Sequence, residues 1–190
     1  MLEGPIIKFC GIRCQRDADK AASLGISLMG FIFHPESPRY ISPQDAQKIN
    51  AGVSKKVGVF VKERGNDLKE KMDISGVHLA QFHGDQDEND ALLLGKERVI
   101  RVLWPERYEN AADLLEDMDK WASLSKYILL DSGKSGGGHG RVMMLEGSNF
   151  YRLAKNPYIL AGGLNKENIS GLWPSQDQML LGFDFNSGVE

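Results

Sequence analysis

Short apolar runs rich in β-branched and aromatic residues recur along the chain, separated by longer stretches in which apolar positions return every three or four residues. That alternation predicts parallel strands joined by crossover helices. Eight runs have strand character: IIKFCGI at 6–12, SLMGFIF at 27–33, KKVGVFV at 55–61, HLAQFHG at 78–84, RVIRVLW at 98–104, YILLDS at 127–132, YILAGG at 158–163 and LLGFDFN at 180–186. Eight such units are the number that closes a β/α barrel, so the expected fold class is α/β, a (β/α)8 TIM barrel forming a single domain over 1–190.

Polar residues punctuate the helical stretches. In SPRYISPQDAQKI, Ser42 is a natural N-cap, Pro43 suits the first helical position and Asp45 suits the first turn. Ala111, Leu114, Leu115, Met118 and Ala122 fall on one helical face between the fifth and sixth runs. Asn165 can cap a short helix that Pro174 helps to end. The last run ends only a few residues before Glu190, so the expected barrel is C-terminally trimmed and lacks its last helix. The flank this leaves open invites a second copy or another partner.

Composition narrows the functional classes. With 190 residues, 42% hydrophobic content and a formal charge of −3, the chain can bury one sizeable core. It carries no basic block of the kind a nucleic-acid binder needs. No apolar run approaches the roughly 18 residues of a membrane span, and the N-terminus does not resemble a signal peptide, so a cytoplasmic protein with a small-molecule partner is expected. Cys10 and Cys14 have neither redox nor zinc spacing, and His34 and His78 have no partners at metal-ligand spacing, so no metal site is expected.

Chemistry-bearing residues gather where strand runs end. Cys10 closes the first run, where a thiol either packs as a small hydrophobe or works. Asp131 closes the sixth, a costly place for a carboxylate unless it faces polar partners or a site. Gly162 and Gly163 follow YILA at the end of the seventh run, and Ser187 and Gly188 follow the eighth, where barrels often hold phosphate against backbone amides. Arg39 lies in the loop after the second run and can clamp a carboxylate. Gln81 and His83 alternate with Phe82, so they share one strand face. DSGKSGGGHGR lacks the first glycine of a nucleotide P-loop, and its glycines suggest a mobile lid or a close ligand approach.

The segments IKFCGIR at 7–13, LMGFIFHPESPRYISP at 28–43, QFHGD at 81–85, ILLDS at 128–132, ILAGGLNKENI at 159–169 and GFDFNSGVE at 182–190 together resemble the phosphoribosylanthranilate isomerase family of tryptophan biosynthesis. The resemblance implies a β/α barrel that needs no cofactor. It also implies an Amadori rearrangement of N-(5-phosphoribosyl)anthranilate to 1-(2-carboxyphenylamino)-1-deoxyribulose 5-phosphate. By the same resemblance Cys10 is the general base and Asp131 the general acid. Phosphate is expected near Gly163, Ser187 and Gly188, the anthranilate carboxylate at Arg39, and Asp184 facing the site. The glycine-rich loop departs from the family pattern, with His139 in place of threonine and Arg141 in place of lysine, which implies weaker lid closure or phosphate contact. Two other readings compete. One is a phosphosugar-binding barrel without turnover, and the other is a different phosphate-binding barrel enzyme, for which no metal-ligand set or lysine network stands out.

Overall fold

The structure, a computed structural model, describes residues 4–131, 154–170 and 178–187. Eight parallel strands follow one another around a closed barrel. They are β1 (Ile6–Cys10), β2 (Leu28–Ile32), β3 (Lys55–Phe60), β4 (Leu79–Phe82), β5 (Val99–Leu103), β6 (Tyr127–Asp131), β7 (Tyr158–Ala161) and β8 (Leu180–Phe185). Each expected run forms its strand, trimmed by a residue or two where the chain leaves the sheet. The described helices are α1 (Gln15–Ser23), α2 (Pro43–Lys48), α3 (Gly65–Ser75), α4 (Glu88–Leu94), α5 (Ala111–Ala122) and α6 (Lys166–Ile169). The glycine-rich run 133–141 with His139 and Arg141, as well as Pro174 and Gly188, lies outside the described residues.

Local chemistry explains where the helices start. The Ser42 hydroxyl accepts from the Asp45 amide at 3.1 Å, and Pro43 occupies the first turn, so the expected α2 start forms as read. Asn110 caps α5 by accepting from the Ala112 and Asp113 amides at 2.9 and 3.1 Å. Asn165 accepts from the Glu167 amide at 2.9 Å at the start of α6. Asp87 and Asp90 close a reciprocal capping box on α4. The buried seam of α5 is Leu114, Met118 and Trp121, while Leu115 and Ala122 are only partly buried. The face is therefore turned slightly from the expected one, because the bulk of Trp121 is drawn inward to meet Phe82 edge-on at 6.5 Å.

Period-2 alternation along each strand divides the core in two. One set of residues, among them Phe31, Phe60, Phe82, Leu130, Leu160 and Phe183, packs between the sheet and the helices. The other set points into the barrel: Ile6, Leu28, Val57, Leu79, Ile100, Val102, Trp104, Leu129, Ile159 and Ala161. The lumen is thus plugged with apolar side chains rather than hollow. Its polar members, Lys8, Gln81 and Asp184, occupy lumen-facing register positions above that plug. The barrel closes where β8 meets β1, with Ile6 opposite Gly182 and Lys8 opposite Asp184. No described helix is long and apolar enough to cross a membrane.

Candidate active site

The lumen face of β1 reads Ile6, Lys8, Cys10, running from the apolar plug toward the C-terminal rim. Lys8 is completely buried, and its Nζ donates to Asp184 Oδ2 on β8 at 2.7 Å. Burial works against the lysine charge, but the Asp184 carboxylate and the Cys10 sulfur outweigh it and hold the Lys8 pKa above the ordinary lysine range. Burial raises the Asp184 carboxyl above its usual range, although Lys8 pulls the other way. Burial holds the Cys10 thiol above its ordinary range, Lys8 opposes that rise, and Asp184 adds to it. Removing one partner from a buried pair of this kind costs about 3–5 kcal/mol, since the other charge is left in the interior.

Gly30 on β2 leaves room for this cluster. A Cβ at Gly30 would lie 2.8 Å from Cys10 Sγ and 3.2 Å from Lys8 Nζ, so both atoms crowd the space its missing side chain leaves. The chain leaving β1 is pinned to the same strand, with the Gly11 and Ile12 amides both donating to Gly30 O at 2.9 and 3.0 Å. Arg39 crosses above. Its Cδ would be 2.7 Å from a Cβ on Gly11, and the same point is 3.4 Å from Asn186 Oδ1. The Arg39 amide donates to Ser37 Oγ at 3.2 Å, which shapes the turn that delivers it.

Gln81 and His83 form another wall. Gln81 Nε2 and His83 Nδ1 are 3.4 Å apart, and the imidazole meets Trp104 edge-on at 5.3 Å. Arg107 stacks over the other part of that wall, 3.9 Å from the Trp104 ring centre. Burial, then the positive charges of Lys8, Arg107 and His34, lower the His83 pKa to about 4, so the ring is neutral near pH 7. As pH falls below the unfolded value of about 6.5, the unfolded chain takes up this proton while the folded chain stays neutral until about 4. Stability is therefore lost across that window. Between about pH 7 and 5 this group should cost the wild-type protein about 2 kcal/mol that His83→Gln is spared, read as the difference in urea unfolding free energies.

Asp131 is the last residue of β6 and has the parity of lumen-facing Leu129. It registers with Ala161 on β7, which leads into Gly162 and Gly163. Both glycines have positive φ, 96° and 62°, a conformation that a side chain at these positions would strain. Ser187 is exposed just past β8. Every described site residue expected from the sequence thus lies at or just beyond the C-terminal rim. Cys10 and Asp184 share one cluster, Gln81 and His83 another, and Asp131 leads a third with the glycine pair. Gly188 lies outside the described residues. Among the described residues, Gln81 Oε1, Asp184 Oδ1 and Asn186 Oδ1 are buried with no hydrogen-bond partner, and no group of His, Cys, Asp or Glu could hold a metal ion.

The sequence reading passed over Lys8, Asn186 and Trp104. For Lys8 a signal existed: a charge inside an apolar run, two residues before Cys10 and therefore on its face. Its partner was not legible in the same way, since the carboxylate that holds the ammonium lies 176 positions away.

Residues 7–190 match the family model described as N-(5'-phosphoribosyl)anthranilate (PRA) isomerase. The chain belongs to the N-(5'-phosphoribosyl)anthranilate isomerase family. Among curated family members, that of Maridesulfovibrio salexigens is 40% identical over 186 residues, covering 97% of this chain and 89% of its own. That of Desulfovibrio desulfuricans is 43% identical over 185 residues, covering 97% and 86%. A solved phosphoribosylanthranilate isomerase in complex with reduced 1-(o-carboxyphenylamino)-1-deoxyribulose 5-phosphate superposes with a TM-score of 0.76 at 27% identity, covering 98% of this chain and 89% of that one. The family segments quoted above are those that build the rim: IKFCGIR carries Lys8, Cys10 and Gly11, and GFDFNSGVE carries Asp184, Asn186 and Ser187.

Proposed function

We propose that this barrel catalyses the Amadori rearrangement of N-(5-phosphoribosyl)anthranilate to 1-(2-carboxyphenylamino)-1-deoxyribulose 5-phosphate, with Asp131 as general acid and Cys10 as general base. The observation that carries the reading is that a carboxyl and a thiol both end lumen-facing alternations at the same rim, on strands well separated around the barrel. Asp131 gives a proton to the furanose ring oxygen, the C1–O bond breaks, and the glycosylamine opens to a protonated imine. Cys10 then takes the C2 proton. The electron pair of that C–H bond forms C1=C2 and neutralises the nitrogen, giving an enolamine. Protonation at C1 and loss of the C2 hydroxyl proton yield the ketone, with no redox change and no external reactant.

The rest of the rim has matching uses. Gly162, Gly163 and Ser187, with Gly188 beyond the described residues, suit a phosphate through backbone amides. Arg39, laid over Gly11, suits the anthranilate carboxylate. The unpartnered oxygens of Gln81 and Asp184 suit hydroxyl donors of the ribose, and neutral His83 can hydrogen-bond without adding charge. The test is the anthranilate-type fluorescence of freshly made N-(5-phosphoribosyl)anthranilate. It should fall faster with the protein than with the Asp131→Asn variant. Equal rates from two folded proteins would refute the assignment.

A further inference from the structure

We propose that Lys8 is a positioning residue for this reaction: its ammonium, locked by Asp184 across the β1–β8 seam, favours the thiolate form of the Cys10 sulfur against the cost of its burial in the barrel. The inference rests on the reading of Cys10 as the base.

Three observations carry it. Lysine is almost never fully buried, and a buried ion pair is weak evidence for a stability role, so a completely enclosed Lys8 calls for another purpose. The ammonium lies beside the sulfur, the two atoms flanking the space that Gly30 leaves open. Asp184 uses only Oδ2 on Lys8, while Oδ1 stays buried without a partner. One carboxylate oxygen thus fixes the lysine, and the other remains for a ligand.

The chemistry requires such a group. A buried thiol is neutral by default, and only the thiolate removes a proton from carbon. Among the described residues, the charged groups around Cys10 are few. Lys8 lies on its own strand and Asp184 on β8, whereas β2 offers only Gly30 at this point. Arg39 crosses the neighbouring Gly11, Asp131 shares the lumen from β6, and His83 on β4 is kept neutral in part by Lys8 itself. Among the described residues, Lys8 is the cation that opposes the rise of the Cys10 thiol.

The test reads the thiolate, not turnover. In a Cys14→Ser background, the ultraviolet thiolate absorbance of Cys10 is titrated against a matched Cys10→Ser protein. Lys8→Met should move the midpoint up by about one pH unit or more, a thiolate fraction about tenfold lower at any pH below it. The same variant should lower kcat far more than it changes KM, and the rising limb of the kcat profile should move with the thiol. Because Lys8→Met strands Asp184, the Lys8→Met/Asp184→Asn double variant keeps the test usable by removing both charges, and it should show a smaller upward shift, since the upward push of Asp184 is lost with its charge. An unmoved or lowered midpoint in either folded variant overturns the proposal. Near-normal turnover by Cys10→Ser would instead overturn the reading of Cys10 as base, while leaving the titration result intact.

Discussion

Replacing Cys10 with alanine is expected to lower kcat for N-(5-phosphoribosyl)anthranilate by about 10²–10⁴-fold, the usual contribution of a positioned acid or base. KM should change little, because the thiol acts on the C2 proton and does not anchor the phosphate or the aromatic acid. Asp131→Asn should show a loss of the same order, since an amide keeps the shape but does not donate the proton that opens the ring. The fold should survive both changes. Alanine removes one sulfur from the lumen rim, and asparagine is nearly isosteric with aspartate. Cys14→Ala is an internal control. Cys14 sits at the N-cap of α1 without a side-chain capping bond, so its loss should leave turnover within about twofold of wild type. Steady-state kinetics with unchanged thermal melts would establish the assignment, and a Cys10→Ala protein turning over at wild-type rate would remove Cys10 from the mechanism.

The largest expected effect on stability comes from a glycine at the seam just below the Lys8–Asp184 pair. A Cβ on Gly182 would lie 1.8 Å from Ile6 O and 2.6 Å from the Ile6 backbone N and C, contacts that no rotamer change relieves. Gly182 pairs with Ile6 where β8 closes onto β1, beside the register shift between β7 and β8. Gly182→Ala must therefore push the closing strands apart, with an expected cost of about 3 kcal/mol or more. The same movement would separate Asp184 from Lys8 two residues further on, so stability and thiolate formation should fail together. Gly163→Ala provides the contrast. It has open space around a Cβ but a φ of +62°, so its cost should stay near the roughly 1–2 kcal/mol of left-handed backbone. Urea unfolding separates the two, and a Gly182→Ala protein within about 1 kcal/mol of wild type would show that the seam tolerates the displacement.

Much of this was legible in the chain because strands and helix starts are local. Alternating β-branched runs predict strands by themselves, and Ser42 and Asn165 begin helices through bonds to amides two or three residues away. The terminal positions of Cys10, Asp131 and the Gly162-Gly163 pair also follow from where their runs end. The α5 seam was less legible, since Trp121 turns inward only because Phe82 on β4 is there to receive it.

The amino-acid order by itself determined the number and sequence of strands, the helix starts and the residue types available at the rim. The tertiary structure decided which face each strand turns inward, how β8 registers on β1, and therefore that Lys8 reaches Asp184 and lies against Cys10. The physical reason is separation. A cap or a period-2 alternation is resolved within a few residues, whereas the charge state of a buried thiol depends on groups brought in from β8 only when the barrel closes.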